Sequence, residues 1–318
     1  MPKKVLLLIL ISYFLLLLVG LTSELCLGDE VHHYRFAKLI YKTGKIVAQD
    51  PLYSNVAGEV PYLFLTPPLW HILLVILWKL TGGISPYIAQ IYHGIYYALL
   101  ILFTYLLAKT LYTDQDGWYS AIIIATCPAV ISFSILFYMD LPLTTFTTLC
   151  FLLLFKKRYF LAGLVLGLMY LIKMNSAFFI PIFLILIFYF TKDKIIEKIK
   201  RLFCFFTISL IGFAIYDICW RNKNFSNYFV MGGFGNLNKI ILERMLVAKN
   251  PFNFFEYTNS SFRNPIDLVK YLGLILLISL ILYFVFKKYE KRDKLLWISV
   301  GIYILLFIFI FVASDIRY

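Results

Sequence analysis

The sequence predicts an all-α polytopic membrane protein, with about nine transmembrane helices and further interfacial helices in its first outer loop. Of its 318 residues, 62% are hydrophobic and 15% are charged, and its mean hydropathy is +0.84. Soluble domains are about 45–50% apolar and about 25% charged. Roughly 20 apolar residues span a hydrocarbon core of about 30 Å, and in lipid they must be helical because every backbone polar group needs an internal partner. Such runs without charge are Val5–Leu21, Phe178–Phe190, Leu272–Phe286 and Leu295–Ala313.

The formal net charge of +13 comes from basic residues whose positions along the chain are informative. They form short clusters between apolar runs, as is typical of cytoplasmic loops that face anionic lipid, and this pattern argues against a nucleic-acid partner. The cysteines show no paired spacing, which argues against a disulfide framework or a zinc site. They are Cys26, Cys127, Cys150, Cys204 and Cys219.

The first apolar run resembles a signal peptide but predicts an uncleaved span. It is longer than a usual signal core, and no small-x-small cleavage site follows at Thr22–Cys26. Lys3 and Lys4 precede it, so the positive-inside rule places the N-terminus in the cytoplasm. The first span therefore delivers the following segment to the outer face.

The segment Leu69–Leu80 decides the topology. It is short for a span, lies between Pro68 and a pair of glycines, and is typical of an interfacial or re-entrant helix. If it does not cross, the inner loops hold 16 basic residues; if it crosses, nearly all the basic clusters face outward. The spans are then predicted at 4–21, 86–110, 118–136, 141–155, 159–173, 176–190, 202–219, 270–286 and 294–313.

This topology predicts one transmembrane domain over residues 1–318 with two large extracytoplasmic loops. The first, residues 22–85, contains the interfacial helices, and the second covers residues 220–269. No internal repeat or low-complexity linker is visible. Glycines at 232–235 lack a strand–turn–helix context, so they do not indicate a phosphate-binding loop.

Ionisable residues gather at the predicted outer ends of the spans. They follow the first span, precede the fourth, follow the fifth and follow the ninth. Burying charge at such positions costs a few kcal/mol, so these groups are functional candidates. The residues are Asp29, Glu30, His32, His33, Arg35, Asp140, Lys173, Asp315 and Arg317.

Each candidate also has a purely structural interpretation. Asp29 is suited to cap an interfacial helix over residues 30–41. Asp140 is suited to cap the fourth span, and Lys173 to extend its ammonium toward the interface. The adjacent histidines fit ordinary interface positions. Only the convergence of these residues on one face favours a site.

Carboxylates and cations that converge at an outer membrane surface suit one chemistry well. A carboxylate can deprotonate an acceptor hydroxyl or amine for attack on the anomeric carbon of a sugar. Cations such as Lys173 and Arg317 can hold a lipid phosphate leaving group and stabilise its developing charge. A single inverting displacement then needs no covalent intermediate.

Five short motifs follow one another along this predicted outer face, and together they resemble the GT-C superfamily of membrane glycosyltransferases. That superfamily includes protein O-mannosyltransferases and the lipid A aminoarabinose transferase. The resemblance covers residues 1–190 best and the rest only in topology. The motifs are Asp29-Glu30, Pro67-Pro68-Leu69, Asp140 followed by Leu141-Pro142-Leu143, Leu171–Lys173 and Arg317-Tyr318.

The resemblance implies a glycosyltransferase of the cell membrane that acts on its extracytoplasmic side in cell-envelope glycosylation. It implies a polyprenyl-phosphate sugar as donor and a lipid, glycan or protein as acceptor, with Asp29 as the base. The string Asp29-Glu30-Val31-His32 also looks like the start of dolichyl-phosphate-glucose-dependent glucosyltransferases, which leaves the sugar open. The implied roles are catalysis for Asp29 and Glu30, donor-phosphate binding for Lys173, Arg317 and Arg35, and support of the acceptor or a metal for Asp140, His32 and His33.

Two further expectations concern the need for a cofactor and the length of the chain. No cofactor is required by these motifs, and a divalent cation, Mg²⁺ or Mn²⁺, remains open because two carboxylate positions are too few to argue for it. The chain stops at Arg317-Tyr318, where relatives usually continue, so it is expected to be a shorter member or a truncated product.

The alternative function is a transporter or flippase for lipid-linked glycans. Transporters place polar residues near the bilayer midplane and tend to have inverted repeats. Here the span centres are mostly apolar and the polar residues collect at one surface, which favours the transferase. A structural or assembly protein is a third possibility, and it predicts no convergence of Asp29, Asp140 and Lys173.

Overall fold

The computed structural model describes residues 2–22, 25, 29–46, 49–56, 60–63, 67–173, 176, 179–190 and 195–216. Helices dominate this part of the chain, which confirms the predicted all-α class. The helices are α1 (Lys3–Gly20), α2 (Asp29–Thr43), α3 (Leu69–Leu80), α4 (Pro86–Leu111), α5 (Asp114–Thr126), α6 (Pro128–Ile135), α7 (Asp140–Phe155), α8 (Tyr159–Ile172), α9 (Phe179–Phe190) and α10 (Ile195–Tyr216).

The first seven predicted spans fall on these helices. Two of them, α1 and α4, have 18 and 26 residues and are long and apolar enough to cross a membrane by themselves. Shorter apolar helices include α7 and α8. The predicted spans 270–286 and 294–313, and the second large loop, lie outside the described residues, so the count of nine stays a prediction.

A small antiparallel ribbon between α2 and α3 was not predicted. Strand β1 (Gln49–Val56) pairs with β2 (Val60–Leu63), and Gln49 lies opposite Leu63. The register is irregular between Asp50 and Ser54. Proline and aspartate are uncommon in strands, and both occur in β1, which weakened the sequence signal.

The third predicted span is broken rather than continuous. Helix α5 begins with a capping box in which Thr113 and Asp116 satisfy each other's backbone N–H groups, and it ends before Cys127. Helix α6 then starts at Pro128, which lacks an N–H and suits a first helical position better than an interior one. At this break the hydroxyl of Tyr97 donates to the carbonyl of Ala125 over 2.7 Å.

Helix α3 has the bounds that the sequence predicts. Its 12 residues rise about 18 Å, well short of a 30 Å core. It packs on α2, where Trp78 makes edge contacts with Tyr34 and Tyr41. It ends at Leu80, with Thr81 as its C-cap, and Gly82 follows with a φ of +93° that suits glycine. The Trp78 indole donates to the carbonyl of Ser85 at the start of α4.

Contacts at the two ends of the bundle agree with the predicted sorting of loops. At one end the Gln90 amide exchanges hydrogen bonds of 2.9 and 2.8 Å with the backbone of Thr22. At the other end Lys4 lies 5.1 Å above the Trp118 ring, and Lys109 pairs with Asp114 at 2.7 Å. The end of α1 and the start of α4 thus share one end, away from the N-terminus.

Helices α8 and α10 cross at very short range. Gly163 and Gly167 form a Gly-x-x-x-Gly face on α8, the pattern that allows close backbone approach between membrane helices. A Cβ added at Gly163 would lie 2.5 Å from the carbonyl oxygen of Phe205. Gly212 meets Gly167 in the same way.

The chain divides into two compact units. All the helices above except α9 belong to the first, which comprises residues 1–177 and 193–216. Helix α9 is the described helix of the second unit, residues 178–192 and 217–318. Within α9, Phe179 and Phe183 lie one turn apart and stack at 5.8 Å.

Candidate functional site

The start of α2 is fixed by a buried carboxylate. Glu30 is 4% exposed, and its Oε2 accepts a hydrogen bond of 3.1 Å from the backbone N–H of Phe137. Phe137 lies in the short segment between α6 and α7. A bond to a charged group is stronger than a neutral one, so Glu30 holds α2 firmly against this segment.

An ion pair lies at the same end of the bundle. Asp140 begins α7, where a carboxylate interacts favourably with the helix dipole, and Lys173 ends α8. The Lys173 Nζ donates to Oδ1 of Asp140 over 2.7 Å. The side chain of Asp140 remains 48% exposed and that of Lys173 25% exposed. The pair is therefore accessible to a polar ligand as well as mutually oriented.

Two histidines from different helices contact each other beside this pair. Nδ1 of His33 on α2 lies 3.2 Å from Nε2 of His71 on α3. Burial lowers the pKa of His33 well below its usual value, and the charges of His71, Lys173, His32 and His93 lower it further. Burial also lowers the pKa of His71 to about 3. Both rings are consequently neutral at physiological pH, with one nitrogen donating and the other accepting.

Trp70 is the centre of the apolar support for this region. Its side chain is fully buried and stacks on Phe137 at 4.3 Å, next to edge contacts with His33 and His93. Tyr92 on α4 donates to the Trp70 carbonyl over 3.1 Å. Through these contacts α3 and α4 hold the segment that carries Phe137.

Three buried ring nitrogens at this end have no hydrogen-bond partner within the described part of the chain. They are Trp70 Nε1, His71 Nδ1 and His93 Nδ1, whereas Nε2 of His93 bonds to the Phe133 carbonyl at 3.0 Å. A buried polar atom left without a partner costs about 1–3 kcal/mol. An ordered water or a polar group of a ligand can supply the missing partner.

The structure brings together four of the residues singled out from the sequence: Glu30, His33, Asp140 and Lys173. Asp29 begins α2, four residues before His33, and its side chain lies outside the described part, as does all of Arg317. His32 and Arg35 are half-buried on α2. Trp70, His71 and His93 were missed, although a histidine within a predicted span, such as His93, is itself a signal of function.

The structural interpretations of Asp140 and Lys173 do not describe what is observed. The N-cap of α7 is Met139, and Asp140 follows it in the first turn without acting as a side-chain cap. Lys173 does not simply extend its ammonium to the interface, because that ammonium bonds to Asp140. Their ion pair joins two helix termini that are separated by 33 residues.

Comparison with known proteins gives one family-model match over part of the chain and two structural matches. Residues 66–220 match the model of a family described as dolichyl-phosphate-mannose-protein mannosyltransferase. No curated protein sequence matches this chain significantly.

Two solved structures resemble the chain over nearly its full length. The crystal structure of ArnT from Cupriavidus metallidurans bound to undecaprenyl phosphate has a TM-score of 0.66 at 13% identity, covering 98% of this chain and 56% of that one. The crystal structure of the Archaeoglobus fulgidus oligosaccharyltransferase in complex with Zn and sulfate has a TM-score of 0.56 at 16% identity, covering 96% and 47%. The chain thus spans about half the length of each. These matches confirm the GT-C fold that the motif series predicts.

Proposed function

We propose that this chain, which has the GT-C fold, is a membrane glycosyltransferase that moves a sugar from a polyprenyl-phosphate donor to an acceptor at the extracytoplasmic face. The observation that carries the proposal is the Asp140–Lys173 pair, which lies at the same end of the bundle as the anchored start of α2. The matched family and both solved relatives support glycosyl transfer as the reaction class.

Lys173 is the proposed contact for the donor phosphate. ArnT was crystallised with undecaprenyl phosphate, which supports a polyprenyl phosphate as the lipid carrier. A charge-assisted hydrogen bond to Asp140 already holds the ammonium of Lys173 in one position. Little conformational entropy of the lysine side chain is therefore lost when the phosphate binds. Arg35 and Arg317 are proposed as further phosphate contacts.

Asp29 is the proposed general base. The acceptor O–H or N–H gives its proton to the Asp29 carboxylate while the acceptor atom forms a bond to the anomeric carbon. The bond between that carbon and the phosphate oxygen breaks, and its electron pair leaves with the phosphate. Lys173 stabilises the charge that develops there. Attack from the face opposite the leaving group inverts the anomeric configuration.

Glu30 is proposed as a positioning residue rather than a second base. Its Oε2 is engaged by the Phe137 N–H and its side chain is buried. It sets the position of Asp29, the preceding residue on α2. His33, with His32 and Asp140 nearby, is proposed to line the acceptor side, where a neutral imidazole offers one donor and one acceptor.

A divalent cation does not fit the carboxylates that are described. The oligosaccharyltransferase relative was crystallised with Zn. In this chain, the described residues contain no group of three or more His, Cys, Asp or Glu side chains that could hold a metal. Asp140 is occupied by Lys173, whose positive charge repels a cation, and Glu30 is occupied by a backbone N–H. No step above is therefore assigned to a metal.

The test is a transfer assay with the full chain and a panel of polyprenyl-phosphate sugars, with lipid, glycan and peptide acceptors. We expect release of polyprenyl phosphate with at least one donor. Asp29→Asn should lower turnover by about 10²–10⁴-fold, the usual contribution of a general base. Asp114→Asn, at the other end of the bundle, is the matched control and should retain activity.

Two results would contradict the proposal. One is full turnover by Asp29→Asn, which removes the assigned base. The other is movement of an intact lipid-linked sugar across vesicle membranes without cleavage, which is the activity of a flippase. A donor labelled in both the sugar and the phosphate separates transfer from transport.

A further inference from the structure

A concave site lies at the end of the bundle opposite the candidate active site. It is a cavity of about 520 Å³ between the start of α8 and the second turn of α10. Four cations line it, two from the turn before α8 and two from α10: Lys157, Arg158, Lys200 and Arg201. Among the described residues no carboxylate lines it; Glu197 pairs with Lys200 at 2.9 Å from one turn away on α10.

The backbone of the turn before α8 presents one of these cations in an unusual way. Lys157 has a φ of 58°, the left-handed conformation in which glycine is the usual residue after a helix. The N–H groups of Lys157 and Arg158 donate to the carbonyls of Leu154 and Leu153, which closes the end of α7. A lysine at this position thus occupies a place where glycine is easier to accommodate, and its side chain lines the cavity.

Arg201 is oriented by an aromatic ring. Its guanidinium lies 5.4 Å from the centre of the Tyr159 ring, within the range of a cation–π contact. Tyr159 is the first residue of α8 and itself lines the cavity. Cations from two segments that are distant in the sequence are therefore aimed at one concave surface.

The lining also has an apolar edge. Phe160 and Leu161, on the first turn of α8, are 53% and 39% exposed. Cations beside exposed apolar side chains match an amphiphile, whose phosphate meets the cations while its acyl chains lie along the helix. A soluble phosphate ion has no apolar group that could contact the exposed side chains of Phe160 and Leu161.

We infer that this cavity binds the phosphate headgroup of an anionic phospholipid in the cytoplasmic leaflet. Anionic lipids concentrate in that leaflet, and basic pockets between helices on that side bind their headgroups. Orienting the chain in the membrane needs positive charge alone. Three features of this site are therefore not explained by membrane orientation: the convergence of the cations on a cavity, the positive φ of Lys157 and the exposed apolar edge.

The test uses the full chain purified in a neutral detergent and titrated with phosphatidylglycerol, phosphatidylcholine or inorganic phosphate, with bound lipid counted by native mass spectrometry. We expect phosphatidylglycerol to bind in preference to phosphatidylcholine, and inorganic phosphate not to displace it. Arg158→Gln with Arg201→Gln should weaken phosphatidylglycerol binding by about 30-fold, from roughly fivefold per cation. If the double variant does not fold, Arg158→Gln alone should show the fivefold loss.

Matched variants separate this site from general electrostatics. Lys3→Gln with Lys198→Gln also removes two cations but leaves the cavity lining unchanged, so it should bind phosphatidylglycerol as the wild type does. Phe160→Gln keeps all four cations and should weaken binding of the lipid. Equal loss in both double variants, or no preference for phosphatidylglycerol over phosphatidylcholine, would overturn the inference. Displacement by inorganic phosphate at equal concentration would assign the cavity to a soluble anion instead.

Discussion

The carboxylate of Glu30 and the backbone N–H of Phe137 are joined by a hydrogen bond of 3.1 Å, although 107 residues separate them. This bond connects the first interfacial helix to the segment that precedes α7. Asp29 immediately precedes Glu30, and Asp140 closely follows Phe137. One buried contact therefore sets the distance between the parts of the chain that carry both acidic candidates.

Two substitutions at Glu30 distinguish a positioning role of this residue from a catalytic role. Glu30→Ala leaves the buried Phe137 N–H without an acceptor, which should cost about 1–3 kcal/mol of stability and reduce transfer with it. Glu30→Gln keeps an oxygen that can accept the same bond, so it should retain most of the thermal stability and most of the turnover. Thermal unfolding in detergent and the transfer assay measure the two effects. Loss of turnover in a fully stable Glu30→Gln protein would show that the charge itself takes part in the reaction.

The Asp140–Lys173 pair predicts a non-additive effect on transfer. Lys173→Met should lower kcat/KM for the donor by about 10²–10³-fold, because a contact to the developing phosphate charge is lost. Asp140→Asn should cause a smaller loss, since Lys173 keeps its charge but not its orientation. The stability change should be below about 1 kcal/mol for either variant, because the pair is partly exposed.

A double-mutant cycle tests whether Asp140 affects transfer only through Lys173. If Asp140 acts through Lys173, Asp140→Asn has no further effect in the Lys173→Met background. Strictly additive losses would instead indicate that Asp140 contacts the substrate on its own. Lys173→Arg, which keeps the charge, is the control and should retain part of the activity.

The contact between the half-buried His33 and the fully buried His71 predicts a loss of stability in acid. The pKa of His33 and of His71 is lowered by burial, whereas an exposed histidine titrates near 6.5. Above about pH 6.5 neither state binds the proton, so stability is fully present there. As the pH falls from about 6.5 toward 3, the unfolded chain is protonated first, and stability should fall by up to about 1.4 kcal/mol per pH unit for each histidine.

Thermal unfolding of the purified protein at pH 7.5, 6.5 and 5.5 measures this slope. His71→Gln removes one of the two titrating groups and should flatten it while leaving a residue that can bond to His33. An unchanged slope in His71→Gln would show that other groups control the acid sensitivity.

The crossing of α8 and α10 predicts unequal effects of the same substitution at two glycines. Gly163→Ala places a Cβ 2.5 Å from the Phe205 carbonyl, so the helices must separate, at a cost of about 1–3 kcal/mol. Gly83→Ala is the matched control, because nothing lies within 4 Å of its added Cβ. Unfolding temperatures of the two variants check the prediction, and equal temperatures would mean that the crossing is not tightly packed.

Much of the fold could be predicted because lipid leaves few choices. Apolar runs become helices when no water is present to bond their backbone, and this placed α1, α4, α7 and α8 within one residue of their observed bounds. Helix α10 begins at Ile195, seven residues before its predicted start, because its first two turns carry charged residues. The length of Leu69–Leu80 and the positions of the basic clusters were enough to identify α3 as too short to span. The break at Pro128 was overlooked, because the whole segment remains apolar on both sides of the proline.

The candidate site was predictable in part: Glu30, His33, Asp140 and Lys173 were singled out, whereas Trp70, His71 and His93 were not. Asp140 and Lys173 were expected on one face, and they form an ion pair there. The partner of Glu30 is a backbone N–H, which every residue except proline carries and which no side-chain pattern can single out. The contact of His33 with His71 depends in turn on how α2 packs on α3.

The sequence by itself determined which of the described segments are helical and that Asp140 and Lys173 lie at one end of the bundle, because hydropathy and positive charge act locally along the chain. The tertiary structure alone decided that Glu30 anchors α2 to Phe137, that His33 contacts His71, and that four cations converge beside α8 and α10. The physical reason is that helical periodicity specifies which face is apolar, but not which neighbouring helix covers it or at what distance.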